Sequence, residues 1–200
     1  MSTPFQHVPV LLEETLEALA IRPSGTYVDC TAGGGGHSAE IASRLGAGGT
    51  LVALDRDSEA IEAARARLDG VLSGRTPEDR PRIELIRSPF SELDAVLRQL
   101  GLERGGVDGL LADLGISSHQ VDTASRGFSL QQDGPLDMRM NPEGGQSAAE
   151  LLASIDVKDL SQLLRDLGDE RQAWRIARAI VREREREPIL RTAQLAEIVS

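Results

Sequence analysis

The chain has 200 residues with 32 acidic and 22 basic side chains, a net charge of −10, and room for one ordinary domain with at most a small appendage. Hydrophobic residues make up 40% of the sequence but aromatic residues only 2%, so the core must consist of Leu, Ile, Val and Ala, which argues against disorder. A single cysteine, Cys30, excludes an internal disulfide framework, and three widely spaced histidines argue against a zinc cluster or any other metal site.

The N-terminal segment predicts an amphipathic helix. Pro9 is followed by Leu12, Leu16 and Leu19 at spacings of four and three, and the pattern ends near Pro23. The same segment has no basic n-region and includes three glutamates, so it resembles neither a signal peptide nor a membrane span. We therefore expect a cytoplasmic protein without membrane contact.

Four short β-rich runs follow, and each is separated from the next by a stretch long enough for a helix. The predicted strands cover residues 26–30, 50–55, 83–87 and 107–113, and the predicted helices between them cover residues 37–45, 58–72 and 91–100. Strands and helices that alternate in this way form βαβ crossovers, and hence a parallel sheet with helices on both faces. A ligand of such an α/β fold binds at the carboxyl ends of the strands.

The alternation stops near Asp122. Residues 122–146 form a long polar segment rich in glycine and proline, which predicts an ordered functional loop or a linker. Three helical stretches follow, with Ser147 and Asp156 as caps, and together they predict a small helical domain at residues 147–155, 157–167 and 170–187.

A glycine turn follows the first predicted strand. Gly33 begins a run of four glycines, and only glycine lets a ligand approach the backbone this closely. Asp55 ends the next strand 22 positions later, where a carboxylate accepts hydrogen bonds from ribose hydroxyls. The two features together predict a ligand that contains adenosine, the alternative being a tight turn with no ligand.

The details of the turn favour S-adenosylmethionine (SAM) over a dinucleotide. A dinucleotide fingerprint would require glycine where Ser38 or Ala39 stands, which disfavours a nicotinamide oxidoreductase. Asp29 precedes Gly33 by four positions and fits the acidic-x-Gly-x-Gly-x-Gly pattern of SAM-binding proteins, with Thr31 in place of the first glycine. Such an acid can reach the ammonium group of SAM.

Asp113, at the end of the fourth predicted strand, is the candidate catalytic residue. The run Asp-Leu-Gly-Ile at residues 113–116 places a carboxylate beside the expected sulfonium, where a methyl acceptor should bind. It keeps the acid of the Asp/Asn-Pro-Pro-aromatic motif of amino methyltransferases but lacks both prolines and the aromatic ring. The alternative is a carboxylate that caps the following turn.

Beyond these features, the sequence resembles one family along nearly its whole length: the bacterial 16S rRNA cytosine-N4 methyltransferases known as MraW. The resemblance rests on motifs that occur in the family's order, namely HVPVLL at 7–12, GGHS at 35–38, DRD at 55–57, PFS at 89–91, DLGISS at 113–118, RGFS at 126–129, DGPLDMRM at 133–140 and ARAIV at 177–181. It implies a SAM-dependent enzyme that methylates N4 of a cytidine in the decoding region of small-subunit rRNA.

The resemblance also implies a fold and a set of cofactor contacts. The fold would be α/β, a Rossmann-like methyltransferase sheet with a small all-helical inserted domain. The SAM contacts that carry over by motif, besides Asp113 near the reacting end, are Gly35, Gly36, His37, Asp55 on the ribose, Phe90 beside the adenine, and Gln120. An ordinary core aromatic is the alternative for Phe90.

The family's chains are longer than this one, so we expect its sheet to be incomplete. The expected organisation is a SAM-binding domain at 1–121, a substrate-side loop at 122–146 and part of a helical recognition domain at 147–200. Two alternatives remain open: a SAM-binding or ribosome-docking fragment that does not transfer methyl groups, and a methyltransferase that acts on a small molecule.

Residues for RNA binding are expected outside the sheet. Phe128 is a candidate to hold the extruded base, the alternative being an anchor for its loop, and Arg139 is a second candidate in the same region. Residues 171–191 hold seven Arg and three Glu, a net charge of +4. On a helix, one stripe would present basic side chains to phosphates of 16S rRNA in the small ribosomal subunit: Arg171, Arg175, Arg178 and Arg182.

The alternative for this stripe is a solvated helix face paired with nearby glutamates, Glu183, Glu185 and Glu187. On the opposite side of the same helix, Ala173, Ile176, Ala177 and Ile180 would pack into the core.

The sequence leaves the oligomeric state open, with a dimer as one option.

Overall fold

The computed structural model describes Pro9, residues 11–102 and residues 106–200. His7, Val8 and Val10 of the N-terminal motif lie outside these residues. The chain forms two compact units, Met1–Gly115 and Ile116–Ser200. The assignment of separate functions to residues 1–121, 122–146 and 147–200 stays a prediction.

The first unit is built on a four-stranded parallel sheet in the order β3-β2-β1-β4, with β1 at Thr26–Asp29, β2 at Thr50–Asp55, β3 at Arg82–Arg87 and β4 at Gly109–Leu111. All four predicted strands and their parallel arrangement are confirmed. The chain adds β2 and β3 on one side of β1 and then places β4 on the other side. Such a reversal of strand order is the point at which open α/β sheets bind ligands.

Four helices flank this sheet: α1 at Leu12–Leu19, α2 at Gly36–Arg44, α3 at Ser58–Leu72 and α4 at Leu93–Gln99. Short 3₁₀ turns occupy Pro77–Asp79 and Phe90–Glu92. The carboxylate of Asp57 accepts a hydrogen bond of 3.1 Å from the backbone N–H of Glu59, which fixes the start of α3.

Alternate residues of the central strands are buried on opposite faces of the sheet. Leu51 and Ala53 pack with residues of α1, α2 and α3, whereas Val52 and Leu54 pack with Val96 of α4. A strand covered on both faces is a nearly continuous hydrophobic run, which is why β2 was recognisable in the sequence. Helices therefore lie on both faces, as predicted.

The second unit is helical, with α5 at Ser118–Asp122, a 3₁₀ turn at Ala124–Arg126, α6 at Ala148–Ser154, α7 at Val157–Gly168, α8 at Ala173–Arg184 and α9 at Thr192–Val199. The three predicted helical stretches correspond to α6, α7 and α8; α5 and α9 were not predicted. The buried core of this unit consists of Leu136, Leu152, Leu160, Ile176, Ala177, Ile180 and Ile189.

The polar segment at 122–146 is hydrogen-bonded to residues at the start of α9. Asp133 accepts hydrogen bonds from Nε of Arg191 (2.6 Å) and from the backbone N–H of Ala193 (3.1 Å). Pro135 forms an isolated antiparallel bridge with Arg191. We call this set of contacts the Asp133 clip. In the described part of the chain, no helix is long and apolar enough to cross a membrane.

Candidate active site

The chemically important side chains of the first unit follow the carboxyl ends of its parallel strands. Thr31 follows β1 and Asp113 follows β4, so the two residues flank the reversal of strand order. The backbone N–H of Asp113 donates a 2.8 Å hydrogen bond to Oγ1 of Thr31. This bond joins the turns after β1 and β4 at the position where the topology predicts a ligand.

The glycines of the turn after β1 are needed for different reasons. A Cβ atom on Gly35 (φ +76°) would lie 2.8 Å from Cα of Ala64, and one on Gly36 would lie 2.4 Å from Cγ of Pro9. These two glycines are therefore required by packing within the chain, whatever backbone contacts they make to a ligand. Gly33 also has a positive φ, +50°, but its Cβ position has no neighbour closer than 3.9 Å. The open side of the turn is thus at Gly33.

Asp55 connects this turn to α3. Its Oδ2 accepts a 2.8 Å hydrogen bond from the backbone N–H of Gly33, and its Oδ1 accepts one of 2.9 Å from the backbone N–H of Asp57. Each carboxylate oxygen has two lone pairs, so both oxygens keep acceptor capacity beyond these bonds. The side chain is held in a fixed orientation and can still accept hydrogen bonds from ribose hydroxyls.

Asp29 is completely buried. Its Oδ1 accepts a hydrogen bond from the backbone N–H of Thr31 (3.1 Å), and its Oδ2 accepts one from Oγ of Ser38 (2.6 Å). Burial raises the pKa of this carboxyl, and the hydrogen bonds from Ser38 and Thr31 oppose the rise. Asp29 therefore tethers both ends of the glycine turn, while its predicted contact with the SAM ammonium group stays a prediction.

His37, in the first turn of α2, has a buried ring nitrogen without a hydrogen-bond partner among the described residues. The residue is 7% exposed, and this nitrogen is Nε2. Buried polar atoms are nearly always paired with a protein group, an ordered water or a ligand. An absent small molecule bound beside the turn would explain this nitrogen.

Phe90 and Asp113 are accessible. The Phe90 ring, just after β3, is 54% exposed, so it is not the core aromatic that formed the alternative interpretation. The Asp113 side chain is exposed as well, and within the described residues its carboxylate accepts no hydrogen bond that would cap the following turn. Both side chains are available to a ligand.

The predicted site residues Gln120, Phe128 and Arg139 belong to the second unit. Gln120 is buried, and its Oε1 accepts a 3.0 Å hydrogen bond from the backbone N–H of Ser117, which caps α5. Arg139 forms an ion pair of 2.6 Å with Asp137, which lowers the pKa of that carboxyl. Phe128 lines a cavity of about 490 Å³ together with Met138. The functional roles assigned to these residues stay predictions.

The basic stripe of α8 has the orientation that its periodicity predicts. On this helix Arg175, Arg178 and Arg182 are exposed, while the opposite side is buried at Ala173, Ile176, Ala177 and Ile180. Arg171 is exposed as well, but it precedes the first residue of α8, Ala173, so its predicted place on the helical stripe is wrong. In the described part of the chain, Arg175, Arg178 and Arg182 form no ion pair, and Glu183 pairs with Arg186 instead (3.4 Å). Among the residues that the structure describes, these three arginines thus lack the ion pairs that the alternative interpretation requires.

Sequence reasoning missed the roles of Thr31 and Ser38. Thr31 was recognised only as a departure from the glycine pattern, and nothing in a single sequence indicates a hydrogen bond to Asp113, 82 positions away. Ser38 was used to argue against a dinucleotide and as part of the GGHS motif, but not as a hydrogen-bond partner of Asp29. Its i+9 spacing from Asp29 is not a local signature, because the turn must form before the two side chains meet.

Comparison with known proteins identifies the family. A family model described as the MraW methylase family matches residues 4–200. The chain belongs to this family. The resemblance to MraW found in the sequence is confirmed, and the sheet is the Rossmann-like methyltransferase fold expected of it.

Curated relatives of this MraW-family chain carry the name ribosomal RNA small subunit methyltransferase H. The proteins of Alteromonas mediterranea and Acidobacterium capsulatum are each 50% identical over 98% of this chain, which covers 59% and 63% of their lengths. That of Idiomarina loihiensis is 50% identical over the whole chain and 60% of its own length. The chain thus spans about 60% of the length of these relatives.

A solved structure from Clostridium thermocellum aligns with 45% of this chain and 46% of its own, at 22% identity and a TM-score of 0.37. That likeness is too low to support any argument. Among the described residues, no group of three or more His, Cys, Asp or Glu side chains could hold a metal ion.

Proposed function

We propose that this protein transfers a methyl group from SAM to the exocyclic N4 of a cytidine in the decoding region of small-subunit rRNA, in the cytoplasm where ribosomes assemble. The observation that carries the proposal is the array at the carboxyl ends of the sheet. Asp55 is the last residue of β2 there, and Phe90 and Asp113 follow β3 and β4, beside the open glycine turn after β1. The family membership and the names of the relatives support an rRNA substrate.

The residues present fit SAM. Asp55 has acceptor capacity for the ribose hydroxyls, and the exposed ring of Phe90 offers an apolar face for adenine. Gly33 leaves room for close approach of the ligand, and Nε2 of His37, which has no partner in the described part of the chain, can bond to it. When bound, SAM supplies an electrophilic methyl group on a sulfonium.

Asp113 orients the acceptor amine. The lone pair of cytosine N4 is delocalised into the ring, so the amine is a poor nucleophile. A carboxylate that accepts its N–H hydrogen bond favours the pyramidal geometry that attacks the methyl group. The nitrogen becomes strongly acidic once it is methylated, and its excess proton passes to the Asp113 carboxylate or to solvent. Alignment of this kind can contribute about 7 to 11 kcal/mol to lowering the barrier.

Thr31 positions Asp113, because the hydrogen bond from the Asp113 N–H to Oγ1 of Thr31 fixes the start of the turn after β4.

The RNA substrate would be bound through a basic segment of the chain. The segment 171–191 carries a net charge of +4, whereas the rest of the chain has 15 basic and 29 acidic residues, a net charge of −14. Exposed arginines of this segment that have no ion-pair partner among the described residues can therefore contact RNA phosphates although the protein as a whole is acidic.

The decisive experiment combines calorimetric titration of SAM with a radiolabelled methyl-transfer assay on small ribosomal subunits, followed by nucleoside analysis of the product. We expect SAM to bind, the label to appear as N4-methylcytidine, and Asp113→Asn and Asp113→Ala to lower turnover by about 100-fold or more. The Kd for SAM should change by less than about 3-fold, since the role assigned to Asp113 is orientation of the acceptor.

The matched control is Asp69→Asn, which removes a carboxylate from an exposed position of α3 and should leave turnover unchanged. Wild-type turnover of both Asp113 variants would refute the catalytic assignment. Absence of SAM binding would refute the cofactor site, and binding without transfer would restrict this chain to holding SAM.

A further inference from the structure

A groove runs along the exposed side of α8 and ends against the first residue of α7. It encloses about 640 Å³, and its lining includes Val157, Trp174, Arg175, Arg178, Arg182 and Glu185. Trp174 is the only tryptophan of the chain, and its side chain is 46% exposed. Its indole therefore presents an apolar, aromatic surface to solvent within the groove.

The charge of the groove indicates the chemistry of that ligand. Three of its lining side chains are arginines and one is a glutamate, a net charge of +2 on a protein of net charge −10. Among the described residues, none of these three arginines is held in an ion pair. Guanidinium groups without carboxylate partners are suited to bind phosphates.

The helix brings the ring and the charges together. Trp174 and Arg178 are four positions apart and are neighbours on the helix surface, as are Arg178 and Arg182. Arg175 and Arg178 are three positions apart and are also neighbours, so all four side chains lie on one face of α8. An aromatic plane with cations around it is the arrangement by which proteins bind single-stranded nucleic acid, with a base on the ring and the backbone along the cations.

We propose that this groove binds an unpaired stretch of RNA, with one base stacked on Trp174 and the adjoining phosphates on Arg175, Arg178 and Arg182. This inference rests on the proposed function and makes it more specific, because a base can reach the indole only where the RNA is not paired. In an A-form duplex the bases are stacked on one another, and only the phosphates would be accessible to the arginines.

Trp174 also provides the assay, since emission excited selectively from tryptophan reports on this one position. The 200-residue protein is titrated with a pyrimidine RNA oligonucleotide and with an abasic oligonucleotide of the same length, and binding is followed in parallel by the anisotropy of labelled oligonucleotide. We expect both to bind, but only the oligonucleotide with bases to quench the tryptophan emission.

The variants separate stacking from charge. Trp174→Ala should weaken binding of the pyrimidine RNA by about 5-fold to 100-fold and leave binding of the abasic RNA unchanged, whereas Trp174→Phe should stay within about 5-fold of the wild type. The paired variant Arg175→Gln/Arg178→Gln should reduce the slope of log Kd against log salt by about 1.4 for either oligonucleotide. The controls are Arg186→Gln, a paired arginine outside the groove, and Leu167→Ala, an exposed apolar residue of α7.

Three results would overturn the inference. Equal loss of affinity for both oligonucleotides in Trp174→Ala would show that the ring does not stack on a base. That result would leave the arginine–phosphate contacts of the proposed function unchanged. Tighter binding of polyglutamate than of RNA would indicate an acidic peptide as the occupant. Failure of the wild type to bind any RNA would exclude this groove, while SAM binding and methyl transfer test the proposed function separately.

Discussion

Two alanine substitutions in the turn after β1 should have different effects, because Gly33 lies on the open side of the turn and Gly35 is packed against Ala64. Gly33→Ala and Gly35→Ala both place a Cβ on a residue with positive φ, +50° and +76°, which costs about 1 to 2 kcal/mol of folding free energy. The new Cβ of Gly33→Ala has no neighbour closer than 3.9 Å. That of Gly35→Ala would lie 2.8 Å from backbone Cα of Ala64, and overpacking against backbone adds about 1 to 3 kcal/mol.

We therefore expect Gly33→Ala to lower the free energy of unfolding by about 1 to 2 kcal/mol and Gly35→Ala to lower it by about 2 to 5 kcal/mol. Urea denaturation followed by far-ultraviolet circular dichroism measures this difference. For SAM binding by the folded variants we expect the opposite order, with Gly33→Ala weakened more than Gly35→Ala. The methyl group of Gly33→Ala occupies the open side of the turn, so the Kd for SAM in calorimetry should rise by about 10-fold or more.

Each half of this prediction can fail by itself. If Gly35→Ala is no more destabilised than Gly33→Ala, the contact with Ala64 does not determine the residue at position 35. If Gly33→Ala binds SAM with the wild-type Kd, the open side of the turn does not face the cofactor.

Three further predictions concern positioning, charge and packing. Thr31→Val removes the hydroxyl that holds Asp113, so methyl transfer should fall by about 10-fold with the Kd for SAM nearly unchanged, and Thr31→Ser should restore it; equal rates for Thr31→Val and wild type would refute the positioning role. The pKa of Asp137 is lowered by Arg139, so the ion pair stabilises the fold above the unfolded-state pKa and is lost as the pH falls through the folded-state pKa. Asp137→Asn should thus cost about 1 to 2 kcal/mol in urea at neutral pH and progressively less as the pH falls below about 3.9, and a cost that does not depend on pH would contradict this. Leu136→Ala should lower the stability of the helical unit by about 2 to 5 kcal/mol in the same assay, since Leu136 is 1% exposed; a loss below about 1 kcal/mol would place it outside the core.

The sequence predicted the elements whose signals are local. Strand β2 is a continuous apolar run, and α3 starts at the Asp57 cap and keeps its apolar period for 15 residues. Helix α5 was missed although Ser117 and Gln120 form a capping box, because five residues are too few for a periodic pattern. Helix α9 was missed as well, because its eight residues are a short stretch and the hydrogen bond from the backbone N–H of Ala193 to Asp133 forms only after folding.

The same distinction applies to the candidate site. Asp55 and Asp113 could be predicted because the carboxyl ends of parallel strands lie along one edge of the sheet. The burial of Asp29 and the different packing of Gly33 and Gly35 could not be predicted. They depend on Ser38 and Ala64, which the turn and α3 bring together from distant parts of the chain.

The Asp133 clip has a consequence for how the helical unit opens. Asp133 and Arg191 are 58 positions apart, so the clip joins the polar segment to a part of the chain that follows three helices. The backbone N–H of Leu136 bonds to the carbonyl of Leu190 in the same region, while the Leu136 side chain lies in the core. The segment cannot detach without withdrawing that side chain. The hydrogen-bonded amide protons next to the clip, such as that of Leu136, should therefore exchange with solvent only as rarely as those of α7, unlike those of an ordinary polar loop.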